Sequence, residues 1–258
     1  MPEEKPLVYF IIGAAGSGRR EILADLIQDG LAEGDRPAVL LSEEEAPDPF
    51  DAKLGTITRW HWTTADGIEA DPPPSSTHIF IVSDGRRNPV DQIEALRTWL
   101  TTQNGELARI LCVVNSGLAE KHPPLHVWYD ACIHFADVVL LNRREGVPNK
   151  WIGDFQARYK GKFYPCIFDL VKAGRVKNPA LVLTAGALRL SQAFDQFDDV
   201  NATEEPEYEI GGDPDDEGDE KAAEEAEEED EAKEDPYFER LAGGRRAKEI
   251  PDIVKFLS

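Results

Sequence analysis

A glycine-rich turn between an apolar run and an amphipathic stretch limits this chain more than any other feature of its sequence. Leu7–Ile12 is apolar at every position, as a strand buried on both faces is. It leads directly into Gly13-Ala14-Ala15-Gly16-Ser17-Gly18-Arg19-Arg20. From Glu21 to Leu31, the side chains of Ile22, Leu23, Leu26 and Ile27 then share one helical face. A doubly covered strand followed at once by a helix belongs to a parallel sheet with helices on both sides.

The same alternation continues along the chain. Further strands are predicted at Ala38–Leu41, Ile79–Val82, Ile110–Val114, Val138–Leu141 and Pro165–Phe168, with Thr56–Trp62 as an edge strand. Helices are predicted over Pro89–Thr101, Leu125–Phe135 and Pro148–Tyr159, with Pro89 and Pro148 suited to first turns. The expected fold is α/β: a P-loop NTPase-like three-layer sandwich with a mostly parallel sheet, over residues 1–200.

Beyond about Asp199 the composition changes. Thr203–Asp235 holds 19 Asp and Glu against two Lys, which accounts for −17 of the chain's net −22. With almost nothing large and apolar to bury, residues 201–235 are expected to be a disordered acidic linker. Residues 236–258 regain aromatic and aliphatic side chains but are too few to fold alone. They are either a strap that returns to the body or a docking peptide for an unidentified protein partner. The expectation is the docking peptide, ordered only when bound, with Phe238, Leu241, Ile253 and Phe256 as anchors. The acidic balance argues against nucleic-acid binding, which needs a positive field. No run of about 18 apolar residues suggests a membrane helix, and Leu7–Ile12 is too short for a signal peptide. Cys112, Cys132 and Cys166 stand singly in apolar stretches and read as buried reduced thiols. A cytoplasmic location is expected.

The glycines of Gly13–Arg20 have the spacing of a P-loop, in which main-chain N–H groups and a helix N-terminus surround phosphates. The two residues after the last glycine are ordinarily Lys, reaching the β- and γ-phosphates, and Ser or Thr, whose hydroxyl holds Mg²⁺. Here both are arginine. Cations at a helix N-terminus oppose its dipole; a bound anion would relieve this, and Glu21 would offset it in part. Two readings stand: a phosphate cradle in which the arginines supply charge, or a tight turn with both arginines in solvent.

Two later segments carry a family resemblance. Ser83-Asp84-Gly85-Arg86-Arg87-Asn88-Pro89 resembles the Glu-Thr-Thr-Gly-Leu-Ala-Asp-Pro segment of the CobW, UreG and HypB metal-handling GTPases. Gly85 and Pro89 match, while Val82 stands at the family's acidic position. Phe135-Ala136-Asp137-Val138-Val139-Leu140-Leu141-Asn142-Arg143-Arg144-Glu145 resembles the family's Phe-Ala-Asp-x-x-Leu-Leu-Asn-Lys-x-Asp, its guanine-recognition strand and loop. Asn142 matches; Arg143 and Glu145 replace Lys and Asp. The family's Cys-x-Cys-Cys motif has no counterpart in Thr58–Thr64, where His61 alone cannot make a four-ligand site. His122 and His126 flank Pro123-Pro124 and read as loop histidines.

The loop and the resemblance together nominate Gly13, Gly16, Ser17, Gly18, Arg19, Arg20, Asp84, Gly85, Asn142, Arg143 and Glu145 as nucleotide-contacting residues, with no catalytic residue and no metal ligand. The implied ligand is GTP or GDP, without a strict Mg²⁺ requirement. The resemblance implies a degenerate GTP-binding domain, a pseudo-GTPase acting as a nucleotide-binding or protein-interaction module. The alternative is an active GTPase that couples hydrolysis to metal or cofactor delivery.

Overall fold

The computed structural model describes residues 5–63, 67–103, 105–197 and 235–257. The opening apolar run becomes β1 (Leu7–Gly13), hydrogen-bonded in parallel on both sides. The remaining strands are β2 (Pro37–Ser42), β3 (Ile57–Thr63), β4 (Gly67–Glu69), β5 (His78–Val82), β6 (Glu106–Asn115), β7 (Val138–Asn142) and β8 (Ile167–Leu170). Among the described residues they form one sheet in the order β4-β3-β2-β5-β1-β6-β7-β8. Every pairing is parallel except that of β3 with β4.

Helices cover both faces, because side chains alternate across each strand. Tyr9 and Ile11 point to the side of α1 (Arg19–Gly30) and α6 (Pro179–Leu183), where they pack with Ile22, Leu23, Leu26 and Val182. Phe10 and Ile12 point the other way, toward α2 (Pro89–Thr102), α4 (Leu125–His134) and α5 (Asn149–Lys160). Asn88 caps α2 by accepting from the Val90 N–H, and Pro89 takes the first turn, where its missing N–H costs nothing. Pro148 sits one residue outside α5. This is the α/β three-layer sandwich expected of a P-loop NTPase.

Three elements carry no clear sequence signal: α3 (Ser116–Lys121), α6 and β4, each too short to display a period. Thr56–Trp62 is not the edge expected. As β3 it is covered on its far side by β4, and its Trp60 is fully buried, with Nε1 donating to the Val82 carbonyl. The three cysteines are buried thiols; burial pushes Cys166 up to about 12.

The acidic stretch lies outside the described residues except for Asp235, so the disorder expected there falls outside them too. The segment after it corrects the docking expectation. It is the returning strap. Phe238 stacks on Phe135 with ring centroids 5.3 Å apart, and Phe238 and Ile253 are buried in the core on the α2–α4 face. Phe256 packs partly buried beside His122. Only Leu241 among the four anchors stays exposed. Polar clamps fasten both ends of this contact. Asp235 accepts from His134 at 2.8 Å and from the Tyr237 N–H at 2.9 Å. Arg246 reaches Asp91 and Glu94 on α2, each at 2.6 Å. Burial alone would raise the Asp235 carboxyl, but hydrogen bonds from His134, Ser191 and the Tyr237 N–H outweigh it and hold it below the usual range.

The strap therefore contributes to stability as core does. Phe238→Ala is expected to lower the unfolding free energy by about 3 kcal/mol, the cost of emptying a buried phenylalanine site. Urea unfolding measures it. A loss below about 1 kcal/mol, in the range of a surface substitution, would contradict this packing.

Candidate functional site at the glycine-rich loop

Parallel strands present their C-terminal ends along one edge, and there Gly13, Asn115 and Asn142 end β1, β6 and β7 while Ser83 directly follows β5. Such an edge is where open α/β sheets bind ligands. The loop after β1 turns through Gly16 and Gly18 at φ of 76° and 89°, conformations that cost a side chain with a Cβ. Gly18 also caps α1 with no side-chain hydrogen bond, which leaves the first N–H groups of the helix without a side-chain cap among the described residues.

Neighbouring elements press on this loop. Asn142 donates from Nδ2 to the Ser17 carbonyl at 2.8 Å, and a Cβ at Gly18 would collide with that amide. The Ala15 N–H donates to the Gly85 carbonyl at 2.9 Å, so closely that a Cβ at Gly85 would strike the Ala15 nitrogen. Gly13 is equally confined by the Val113 carbonyl. The glycines are thus required for close approach as well as for turning. The loop is a P-loop in its backbone and not in its side chains.

Both arginines are buried, at 5% and 7% exposure, which corrects the reading that left them in solvent. Arg19 crosses the end of the sheet to the Ser83 carbonyl and to Oε1 of Glu45. Arg20 donates to Oε2 of Glu45 at 2.6 Å, to the Ala46 carbonyl at 2.9 Å and to Asp51 at 2.9 Å. Glu45 is thereby bridged between two guanidinium groups, and the Gly85 N–H lies 3.3 Å from its Oε1. Burial by itself would raise the Glu45 carboxyl; the two arginines more than reverse that and hold it below the ordinary range.

The loop after β2 supplies the carboxylates. Arg59 donates to the Ser42 carbonyl at 2.9 Å and to the Glu45 carbonyl at 3.2 Å, fastening the backbone that carries Glu45. Asp48 caps the short helical turn Pro49–Lys53 and forms a reciprocal capping box with Asp51. That turn places the Asp51 carboxylate against Arg20.

A cavity of about 240 Å³ opens in front of the loop. Of the residues nominated from sequence, Gly16, Gly18, Arg19, Arg20 and Arg143 line it. Gly13, Gly85 and Asn142 hold the loop from outside the lining, and Ser17 is wholly buried, its hydroxyl unpartnered among the described residues. Asp84 turns into its own loop, accepting from the Arg86 N–H at 2.9 Å and from Arg87 at 3.2 Å. Glu145 is exposed and lies outside the lining. Arg143, at φ of 50°, reaches back across α1 to Glu21 at 3.0 Å. Glu45, Asp48 and Arg86 join the lining without having been nominated. The triplet Glu43-Glu44-Glu45 at the end of a predicted strand was the available signal, since two arginines at a helix N-terminus require a counter-charge.

No protein-family model matches the sequence, and no curated protein matches it. Among solved structures, the chain is similar to the Zn(II)-bound YjiA GTPase from E. coli. That match covers 72% of this chain and 67% of the other, at 12% identity and a TM-score of 0.41. It is similar to HypB from Helicobacter pylori in complex with nickel over 75% and 89% of the two chains, at 14% identity and a TM-score of 0.40. A third similarity, to the cell division protein ftsY of Thermotoga maritima, covers 74% and 70% at 16% identity and a TM-score of 0.42. The fold assignment rests on the strand order and the loop geometry described above.

Because Glu45 ionises more readily in the folded chain than in the unfolded one, its contribution to stability is complete above the unfolded value of about 4.3. It is lost as pH falls through the lower folded value. Glu45→Gln is expected to cost about 3 kcal/mol at pH 7, where it leaves two buried cations short of a counter-charge. The gap between the variant and the natural chain should narrow below pH of about 4. Thermal melts from pH 7 to pH 2 measure both, and a gap that does not change with pH would contradict this account.

Proposed function

We propose that this chain is a guanine-nucleotide-binding module of the P-loop fold that does not hydrolyse its ligand. The observation that carries this reading is the commitment of both arginines. Hydrolysis in P-loop enzymes relies on a lysine at the β- and γ-phosphates and on a hydroxyl that holds Mg²⁺. Position 19 is a guanidinium tied to Ser83 and Glu45, and position 20 is one tied to Glu45, Ala46 and Asp51. A guanidinium has no lone pair to offer a cation, so the residues present do not fit Mg²⁺ at that position.

The binding half of the proposal draws on different features. The left-handed glycines, the N–H groups opening α1 and the cavity before them suit a phosphate chain. Asn142, matching the guanine-recognition segment that the sequence resembles, ends β7 beside the loop. Arg143 and Arg86 line the same cavity, and among the described residues Arg86 has no ion-pair partner. A GTPase driving metal delivery would need the lysine and the hydroxyl restored, so the non-hydrolysing reading is preferred.

Incubation of purified protein with GTP, with and without Mg²⁺, is expected to release phosphate at the background rate, while fluorescent guanine nucleotide binds without Mg²⁺. Robust Mg²⁺-dependent turnover that disappears in Arg19→Ala would overturn the proposal.

A further inference from the structure

The Glu45 carboxylate occupies the position that an anion would otherwise take in this loop. It accepts from the cation at position 19, the one that reaches the β- and γ-phosphates in a P-loop. It also accepts from Arg20 and lies 3.3 Å from the Gly85 N–H. A carboxylate and a phosphate offer the same donors the same acceptor oxygens. We propose that Glu45 is a built-in substitute for the terminal phosphate, so that the site accepts a nucleoside diphosphate and discriminates against the triphosphate. The inference rests on the nucleotide-binding reading given above.

Three observations support it. Glu45 is not a surface side chain that has swung inward: Arg59 holds its backbone, and the residue is 8% exposed while Glu43 and Glu44 are in solvent. Of the four arginines lining the cavity, Arg19 and Arg20 are matched by Glu45 and Asp51, and Arg143 by Glu21. A third phosphate would therefore bring charge to a place whose positive charge is already matched. The α1 N–H groups and Gly16, which faces open space, remain for a shorter phosphate chain.

The test is calorimetric titration of the full-length protein with GDP and with GTP, without Mg²⁺, followed by the same titrations of Glu45→Gln. The natural chain is expected to bind GDP at least about tenfold more tightly than GTP. In Glu45→Gln the GTP affinity should rise until the ratio falls to about threefold or less, ratios that are well separated on a free-energy scale. Should Glu45→Gln fail to melt cooperatively, Glu45→Asp, which keeps the charge but withdraws it by one methylene, should narrow the ratio. Equal affinities of the natural chain for GDP and GTP would overturn the substitute-phosphate inference and leave nucleotide binding standing. Failure of the natural chain and of both variants to bind either nucleotide would overturn the binding reading and this inference together.

Discussion

Two adjacent arginines at the N-terminus of a helix, both buried, create a concentration of positive charge that the surrounding structure must answer. The helix dipole and the open N–H groups of α1 add to it. Leaving one such charge unpaired in the interior costs several kcal/mol, so the residues that neutralise it are fixed as firmly as core. Glu45 spans both guanidinium groups, and Asp51 takes the outer one. The loop after β2 is therefore anchored from within by ion pairs, and from without by Arg59. The same arginines also donate to the Ser83 and Ala46 carbonyls, which ties the loops after β5 and β2 to the start of α1 at the sheet edge.

This arrangement separates two things that usually occur together, the shape of a phosphate-binding loop and its charge. The shape persists in the left-handed glycines and in the close contacts of Gly18 with Asn142 and of Gly85 with Ala15. The charge has been satisfied internally.

A second charge cluster serves a structural end. Asp137 is wholly buried against Arg189 and accepts from the Ile110 and Leu188 N–H groups, which binds the segment after α6 back onto the sheet. The C-terminal strap then packs beside this region through Asp235, His134 and Phe238. Its hydrophobicity, which in isolation suggests an external surface, is met by Phe135 and the α2–α4 face. An apolar peptide at the end of a long acidic arm reads alike in sequence whether its surface belongs to the same chain or to another.

The sequence by itself determined the sheet and its layers, because uniformly apolar strands such as Leu7–Ile12 and Val138–Leu141 have no stable alternative to burial on both faces. It determined the backbone of the loop as well, since few residues other than glycine adopt the conformations found at Gly16 and Gly18. Short elements such as β4 and α3 were illegible because three to six residues cannot show a period. What only the tertiary structure decided was pairing across distance. Glu45 is indistinguishable in sequence from Glu43 and Glu44; the twist of one loop selects which of the three meets Arg19 and Arg20. Asp84 and Glu145 looked equally suited to a ligand, and local turns direct one inward and the other to solvent. Composition and spacing specify which charges a chain carries, but Coulomb energy depends on separation and burial, and those are properties of the folded chain alone.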